Sequence, residues 1–269
     1  MWIFLIIFAV LLLCLALDQR LLLRHYQIPM RGIERPFRIV LLADHHSSRY
    51  GRAQERLLAL IAKEKPDLIL MAGDMVDDKR PTEETERLFE GPFPCPVYYV
   101  AGNHERRRSD WAAVKEKAEE SGLILLSDEL RVATIAGQRL LIGGMEDPEN
   151  RKKNPVHDPK AVLAEAFFPV RKDPACRILL AHKPEHISDY AQYGFDLVVS
   201  GHAHGGQVRL PGLPNGLFAP GQGFFPRLTG GVYPHGETIQ VVSRGLLRAV
   251  FPPKLFNRPE VVVIDLIEK

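Results

Sequence analysis

Cysteine is scarce. Cys14, Cys95 and Cys176 lie far apart and form no CxxC pair, which excludes a zinc ribbon and a disulfide framework and fits a reducing compartment. Charge of one sign is not in excess: 35 Lys and Arg stand against 33 Asp and Glu, so the electrostatic footprint of a nucleic-acid binder is missing and no specific nucleic-acid partner is expected. Internal repeats and low-complexity segments are lacking too. What is present is a hydrophobic fraction of 46% in 269 residues, enough for one large α/β domain or two small ones and too much for a disordered chain.

Long uncharged apolar runs are limited to the first seventeen residues, MWIFLIIFAVLLLCLAL. As a helix rising about 1.5 Å per residue they would span roughly 25 Å, which is marginal for a bilayer. No basic region precedes the run and no small-x-small site follows it, against a cleaved signal peptide, and Leu13 before Cys14 argues against a lipobox. Arg20, Arg24, Arg31 and Arg35 follow, so the positive-inside rule favours a cytoplasmic C-terminal flank. The expectation is therefore a membrane anchor helix over residues 1–24, a linker over 25–36 and one catalytic domain over 37–269, held at the inner (cytoplasmic) membrane with the domain in the cytoplasm. Residues 21–26 either lie along the membrane interface or join anchor to domain.

From residue 37 onward short apolar runs alternate with helical patterns. FRIVLLAD (37–44), DLILMAGD (67–74) and VYYVAGNH (97–104) read as buried strands, separated by helical patterns over 52–65 and 82–89 and followed by one over 109–120, with Ser109 as its N-cap. Further strands are expected at 123–126, 131–135, 139–143, 177–181, 197–200, 238–242 and 261–264, the pair around Gly137 forming a hairpin. Residues 145–160 read as a polar loop, either a linker or a substrate-facing segment. Strands alternating with helices predict an α/β fold with a mainly parallel core.

Open α/β sheets place their sites outside the carboxyl ends of the strands. Five strands here end in metal-capable or acid/base groups: Asp44-His45-His46, Gly73-Asp74, Gly102-Asn103-His104-Glu105, His182, and Gly201-His202-Ala203-His204. Singly, each has an ordinary structural explanation as a turn former or a core histidine, but five strand ends of this kind in one chain point to one centre. The mixture of carboxylate, imidazole and amide oxygen without thiolate suits Mn, Fe or Zn. Seven such groups are too many for one ion and suggest a two-metal centre with Mn as the leading choice. On extended segments, residues i and i+2 point the same way, which would bring Asp44 with His46, and His202 with His204, to a common region.

That ordered set strongly resembles the calcineurin-like metallophosphoesterases, over residues 37–204, and the stretches GHAHGGQVRLPG, APGQGFFP and VSRGL resemble its membrane-anchored bacterial branch. That branch includes general phosphodiesterases and the enzyme that splits the pyrophosphate of UDP-2,3-diacylglucosamine. The resemblance implies a four-layer α-β-β-α sandwich. It implies one metal held by Asp44, His46, Asp74 and His204, and another by Asp74, Asn103, His182 and His202, with Asp74 bridging. It gives His104 the role of stabilising phosphate or protonating the leaving oxygen, with Glu105 orienting it. His45 is expected to point away.

Arg49 and Arg106 are candidate substrate-binding residues, and the Leu- and Phe-rich stretch 210–233 either lines a groove for an apolar chain or covers the core. Together with the anchor, this favours a phosphodiester or pyrophosphate substrate at the membrane, lipid-linked as in UDP-2,3-diacylglucosamine. A broad phosphomonoesterase or protein phosphatase, and a metal-binding scaffold without turnover, are the competing readings.

Overall fold

The computed structural model describes residues 1–147, 165, 173–212, 215–248 and 251–269. From residue 148 onward the polar loop expected over 145–160 lies outside them.

The apolar runs become two six-stranded sheets packed face to face. The first has the order β1 (Leu22–Met30), β14 (Glu260–Glu268), β2 (Phe37–Leu42), β3 (Leu68–Ala72), β4 (Val97–Val100), β5 (Ile124–Leu126). The second has the order β12 (Gly231–His235), β13 (Thr238–Val242), β9 (Leu197–Ser200), β8 (Cys176–Ala181), β7 (Gln138–Met145), β6 (Glu129–Ile135). Strands β2 to β5 are mutually parallel, as are β7, β8, β9 and β13. The runs are continuous rather than alternating because both faces of each sheet are covered. Ile39 and Leu41 of β2 and Leu68 and Leu70 of β3 face Leu140, Ile142, Ile178 and Leu180 of the second sheet. Val40, Leu42, Ile69 and Met71 point the other way, onto Leu57 and Ile61 of α2 (Glu55–Glu64), Leu88 and Phe89 of α3 (Glu83–Phe89) and Val114 of α5 (Trp111–Glu120). The outer face of the second sheet presents Leu179 and Val198 to Ile187 and Tyr190 of a short helical turn. The result is a mixed α/β fold, as the alternation of patterns predicts.

The hairpin expected around Gly137 forms, with Ile135 opposite Gln138 and left-handed φ at Ala136 and Gly137, the geometry of a tight two-residue turn. Helix α5 starts later than expected: Asp110 rather than Ser109 occupies its N-cap position, where the Asp110 carboxylate receives two bonds from the Arg108 guanidinium at 2.7 Å.

The N-terminal region departs most from expectation. Helix α1 (Trp2–Ala16) forms, but fifteen residues rise only about 22 Å against a hydrocarbon core of about 30 Å. No helix among the described residues is long and apolar enough to cross a membrane. The single membrane-spanning anchor is thus overturned, and with it the inner-membrane placement. The helix ends where a later segment meets it: the Phe256 amide donates to the Ala16 carbonyl at 2.7 Å, and Asp18 pairs with Arg20 and Arg258. Nor are residues 25–36 a linker. Their first half, residues 25–30, belongs to β1, which pairs with the whole of β14, buries Ile28 and Met30 between the sheets, and covers what would otherwise be a bare strand edge.

Candidate metal centre

Because β2, β3 and β4 run parallel, the residues that follow them emerge at one end of the first sheet, and those that follow β8 and β9 emerge at one end of the second. The loops interlock. The Asp44 amide donates to the Gly73 carbonyl, the His46 amide to that of Asp74, and the Gly201 amide to that of His182, at 3.0–3.1 Å. The Asp44 carboxylate accepts the His202 amide at 2.9 Å, and Asp74 Oδ1 accepts the His104 amide at 2.9 Å. Asp44, His46, Asp74, His202 and His204 all have φ between 47° and 64°. Alternation along an extended segment therefore does not bring the pairs together. Left-handed turns do, a costly conformation for side-chain-bearing residues that the surrounding bonds hold in place. The packing leaves no room for larger residues: a Cβ on Gly73 would lie 2.5 Å from His182 Nδ1, and one on Gly245 would lie 2.6 Å from the Asp44 Cβ.

Asp74 stands at the centre. Its Oδ2 lies 3.1 Å from His182 Nε2, 3.7 Å from His46 Nε2 and 4.0 Å from His104 Nε2, so one oxygen faces imidazoles from both sheets. The His182 ring is fixed by its Nδ1, which donates to the Ala72 carbonyl at 2.8 Å and so turns Nε2 inward. His202 Nδ1 is 3.2 Å from that same Nε2. Asp74 Oδ2, Asn103 Oδ1, His46 Nε2 and His204 Nδ1 are buried without an aligned hydrogen-bond partner, an arrangement that is costly unless a cation fills it. Asp44, His46 and His204 lie close enough to share an ion, as do Asp74, His182 and His202. This donor set, oxygen and imidazole without sulfur, suits divalent cations.

Electrostatics agree with the geometry. Burial, reinforced by Asp74, pushes the Asp44 carboxyl up to about 6, while His182 and His46 pull it down. Burial opposes a charge on His182, yet Asp74 and Asp44 together lift its imidazole to about 10. Burial and then the His182 charge drive His202 down to about 2, leaving it a neutral nitrogen donor. A divalent cation bound among these ligands would take the place of such protons.

His45 points away as expected, its Nδ1 3.3 Å from the Met75 carbonyl and the Thr85 hydroxyl. Glu105 does not orient His104. Its carboxylate accepts the amides of Asp74, Val76 and Gly102, each at 3.0 Å, and the Tyr99 hydroxyl at 2.7 Å, clamping the β3 and β4 loops together. His104 is held instead by Asp78, 3.0 Å from its Nδ1, and Asp77 lies 3.4 Å from His46 Nδ1. Neither expected substrate arginine reaches the centre. Arg49 is exposed and bonds to the Gly51 carbonyl, while Arg106 pairs with Glu146 and sits 5.9 Å over the Trp111 ring. A cleft of about 320 Å³ opens beside the cluster, and its described lining includes His46, His104, His204, Asp77 and Arg80. Arg80 went unnoticed in the sequence, as did Asp77 and Asp78, although all three follow the Asp74 strand end closely. Gly245 lies in the VSRGL stretch, while Asn257, whose side-chain amide donates to the His204 carbonyl at 2.7 Å, carries no signal because it comes from a distant loop.

Comparison with known proteins adds to this picture. A family model described as calcineurin-like phosphoesterase matches residues 37–206. The phosphodiesterase YaeI of Escherichia coli is 29% identical over 253 residues, 91% of this chain and 88% of that protein. The uncharacterized metallophosphoesterase YkuE of Bacillus subtilis is 28% identical over 240 residues, 86% of this chain and 79% of that protein. Among solved structures, the NAD nucleotidase of Haemophilus influenzae superposes with a TM-score of 0.54 at 17% identity, covering 78% of this chain and 45% of that one, a likeness of fold.

Proposed function

The chain belongs to the calcineurin-like phosphoesterase family and is a hydrolase acting on phosphoesters, and from that premise we propose that it cleaves phosphodiesters at a centre of two divalent cations, Mn first among them. Asp44, His46, Asp74 and His204 would hold one ion, and Asp74, Asn103, His182 and His202 the other. Bound there, the ions supply neutralisation of the phosphoryl oxygens and activation of water near neutral pH. His104, oriented by Asp78 and facing the cleft, donates a proton to the departing ester oxygen. The observation that carries the reading is Asp74 Oδ2, buried without an aligned donor among imidazoles of both sheets. The resemblance to a four-layer sandwich is supported by helices outside the first sheet and a helical turn outside the second. A lipid-linked pyrophosphate such as UDP-2,3-diacylglucosamine drew its support from the anchor together with the Leu- and Phe-rich stretch 210–233, and without the anchor the substrate reading rests at the diester.

The test is hydrolysis of bis(4-nitrophenyl) phosphate by chain stripped of metal and reloaded with Mn. Asp74→Asn should lose both metal and activity, whereas His104→Ala should keep its metal and lose about 10²- to 10³-fold in kcat. Normal metal content in Asp74→Asn overturns the shared-ligand assignment.

A further inference from the structure

The cleft beside the metal centre is only half polar. Its lining also includes Phe218, Pro220, Leu247 and Pro252, which offer no side-chain hydrogen-bond donor. Gln207, which lines it too, donates its amide to the Pro252 carbonyl at 2.6 Å. These apolar groups are fastened to the backbone that carries the ligands. Leu217, just before Phe218, donates its amide to the Gly206 carbonyl at 2.9 Å, two residues past His204. The Phe218 ring packs on Phe224 at 5.4 Å across a two-stranded ribbon. On the other flank the Leu246 amide, next to Leu247, bonds the Ala43 carbonyl at 2.9 Å, one residue before Asp44. An apolar surface held this rigidly against a reactive centre is preorganised for one ligand group.

Charge narrows the ligand further. Apart from the imidazoles, the described lining carries one cation, Arg80, and one anion, Asp77. Arg80 is seated by its Nη1 against the carbonyls of His46 and Arg248 at 3.3 and 3.4 Å. These two charges offset each other. Bound divalent cations would attract either ester, but Arg80 and Asp77 together add no net charge to hold the second negative charge of a monoester, so the diester is the better match for the lining. Phe218 is 42% exposed, leaving apolar surface for a ligand to cover, and a volume of about 320 Å³ suits a phosphate with one ring-sized group beyond the leaving group.

Resting on the phosphodiester reading above, we infer that the site selects diesters whose retained ester group is uncharged and apolar, of roughly the size of a phenyl ring, seated against Phe218, Pro220, Leu247 and Pro252. Phe218 is then a specificity-determining residue.

Three substrates with the same leaving group test this on the full Mn-loaded chain: methyl 4-nitrophenyl phosphate, phenyl 4-nitrophenyl phosphate and 4-nitrophenyl phosphate, each normalised to its uncatalysed rate. The phenyl diester should exceed the methyl diester about tenfold in kcat/KM, mainly through KM. In Phe218→Ala that ratio should fall close to one, with partial recovery in Phe218→Leu and metal content retained in both. Leu247→Ala, on the other flank, should lower the same ratio and serves if Phe218→Ala fails to fold. A ratio near one in the unaltered chain, or one that survives both alanine substitutions, overturns the apolar-arm inference while the diesterase reading stands. Hydrolysis of the monoester alone overturns the diester reading itself, and hydrolysis of none of the three overturns both.

Discussion

Glu105 offers the sharpest test of how the centre is built. Its buried carboxylate is surrounded entirely by donors: Oε2 accepts the Asp74 and Gly102 amides, and Oε1 accepts the Val76 amide and the Tyr99 hydroxyl. In Glu105→Gln the size is kept, but an NH2 group must face one of these pairs. It is better placed at the Oε1 position, because the Tyr99 hydroxyl can turn to accept while the amides cannot. One buried N–H, that of Val76, is then left without an acceptor at about 1–3 kcal/mol, and the charge assistance of the remaining bonds is lost. A net cost of about 2 kcal/mol corresponds to a fall of roughly 4–8 °C in Tm for a chain of this size. Because the Asp74 amide is one of the clamped groups, Mn affinity should fall together with stability. Thermal unfolding and metal titration of the two proteins side by side check both. A Glu105→Gln chain with unchanged Tm and unchanged Mn affinity would refute the clamp.

Gly245→Ala should cost several kcal/mol and weaken metal binding, since the added Cβ would stand 2.6 Å from the Asp44 Cβ in a backbone at φ 76°; urea unfolding and metal content measure the two effects. Lys254 predicts a pH dependence: burial lowers its amine from 10.5 to about 8, so between those values the unfolded chain binds more protons than the native one and stability rises with pH. The difference in unfolding free energy between the unaltered chain and Lys254→Met should therefore climb by up to about 3 kcal/mol from pH 8 to 10.5, and a flat difference would reject the buried charge.

The sequence by itself marked ten of the twelve strands of the two sheets, missing β1 and β12, together with their mainly parallel character and the candidate ligands at their ends. LILMA is apolar on every residue and FRIVLL on all but Arg38, and both are too short for helices, the pattern of a sheet covered on both faces. Once those strands are parallel within each sheet, Asp44, Asp74 and Asn103 follow at one end of the first and His182 and His202 at one end of the second, and the left-handed turns of the loops bring the two groups together. What the tertiary structure decided depends on contacts between segments far apart in the chain. The end of α1 met Phe256 and Arg258 and the start of β1 was set by pairing with β14, all more than two hundred residues away, so a run read locally as an anchor and a linker became a short helix and a covered edge. The arginines followed the same logic. Arg106 was drawn to Glu146, forty residues on, and Arg80 was carried into the cleft against the Arg248 carbonyl, partners that only the fold brings near, while Arg49 stayed at the surface beside Gly51.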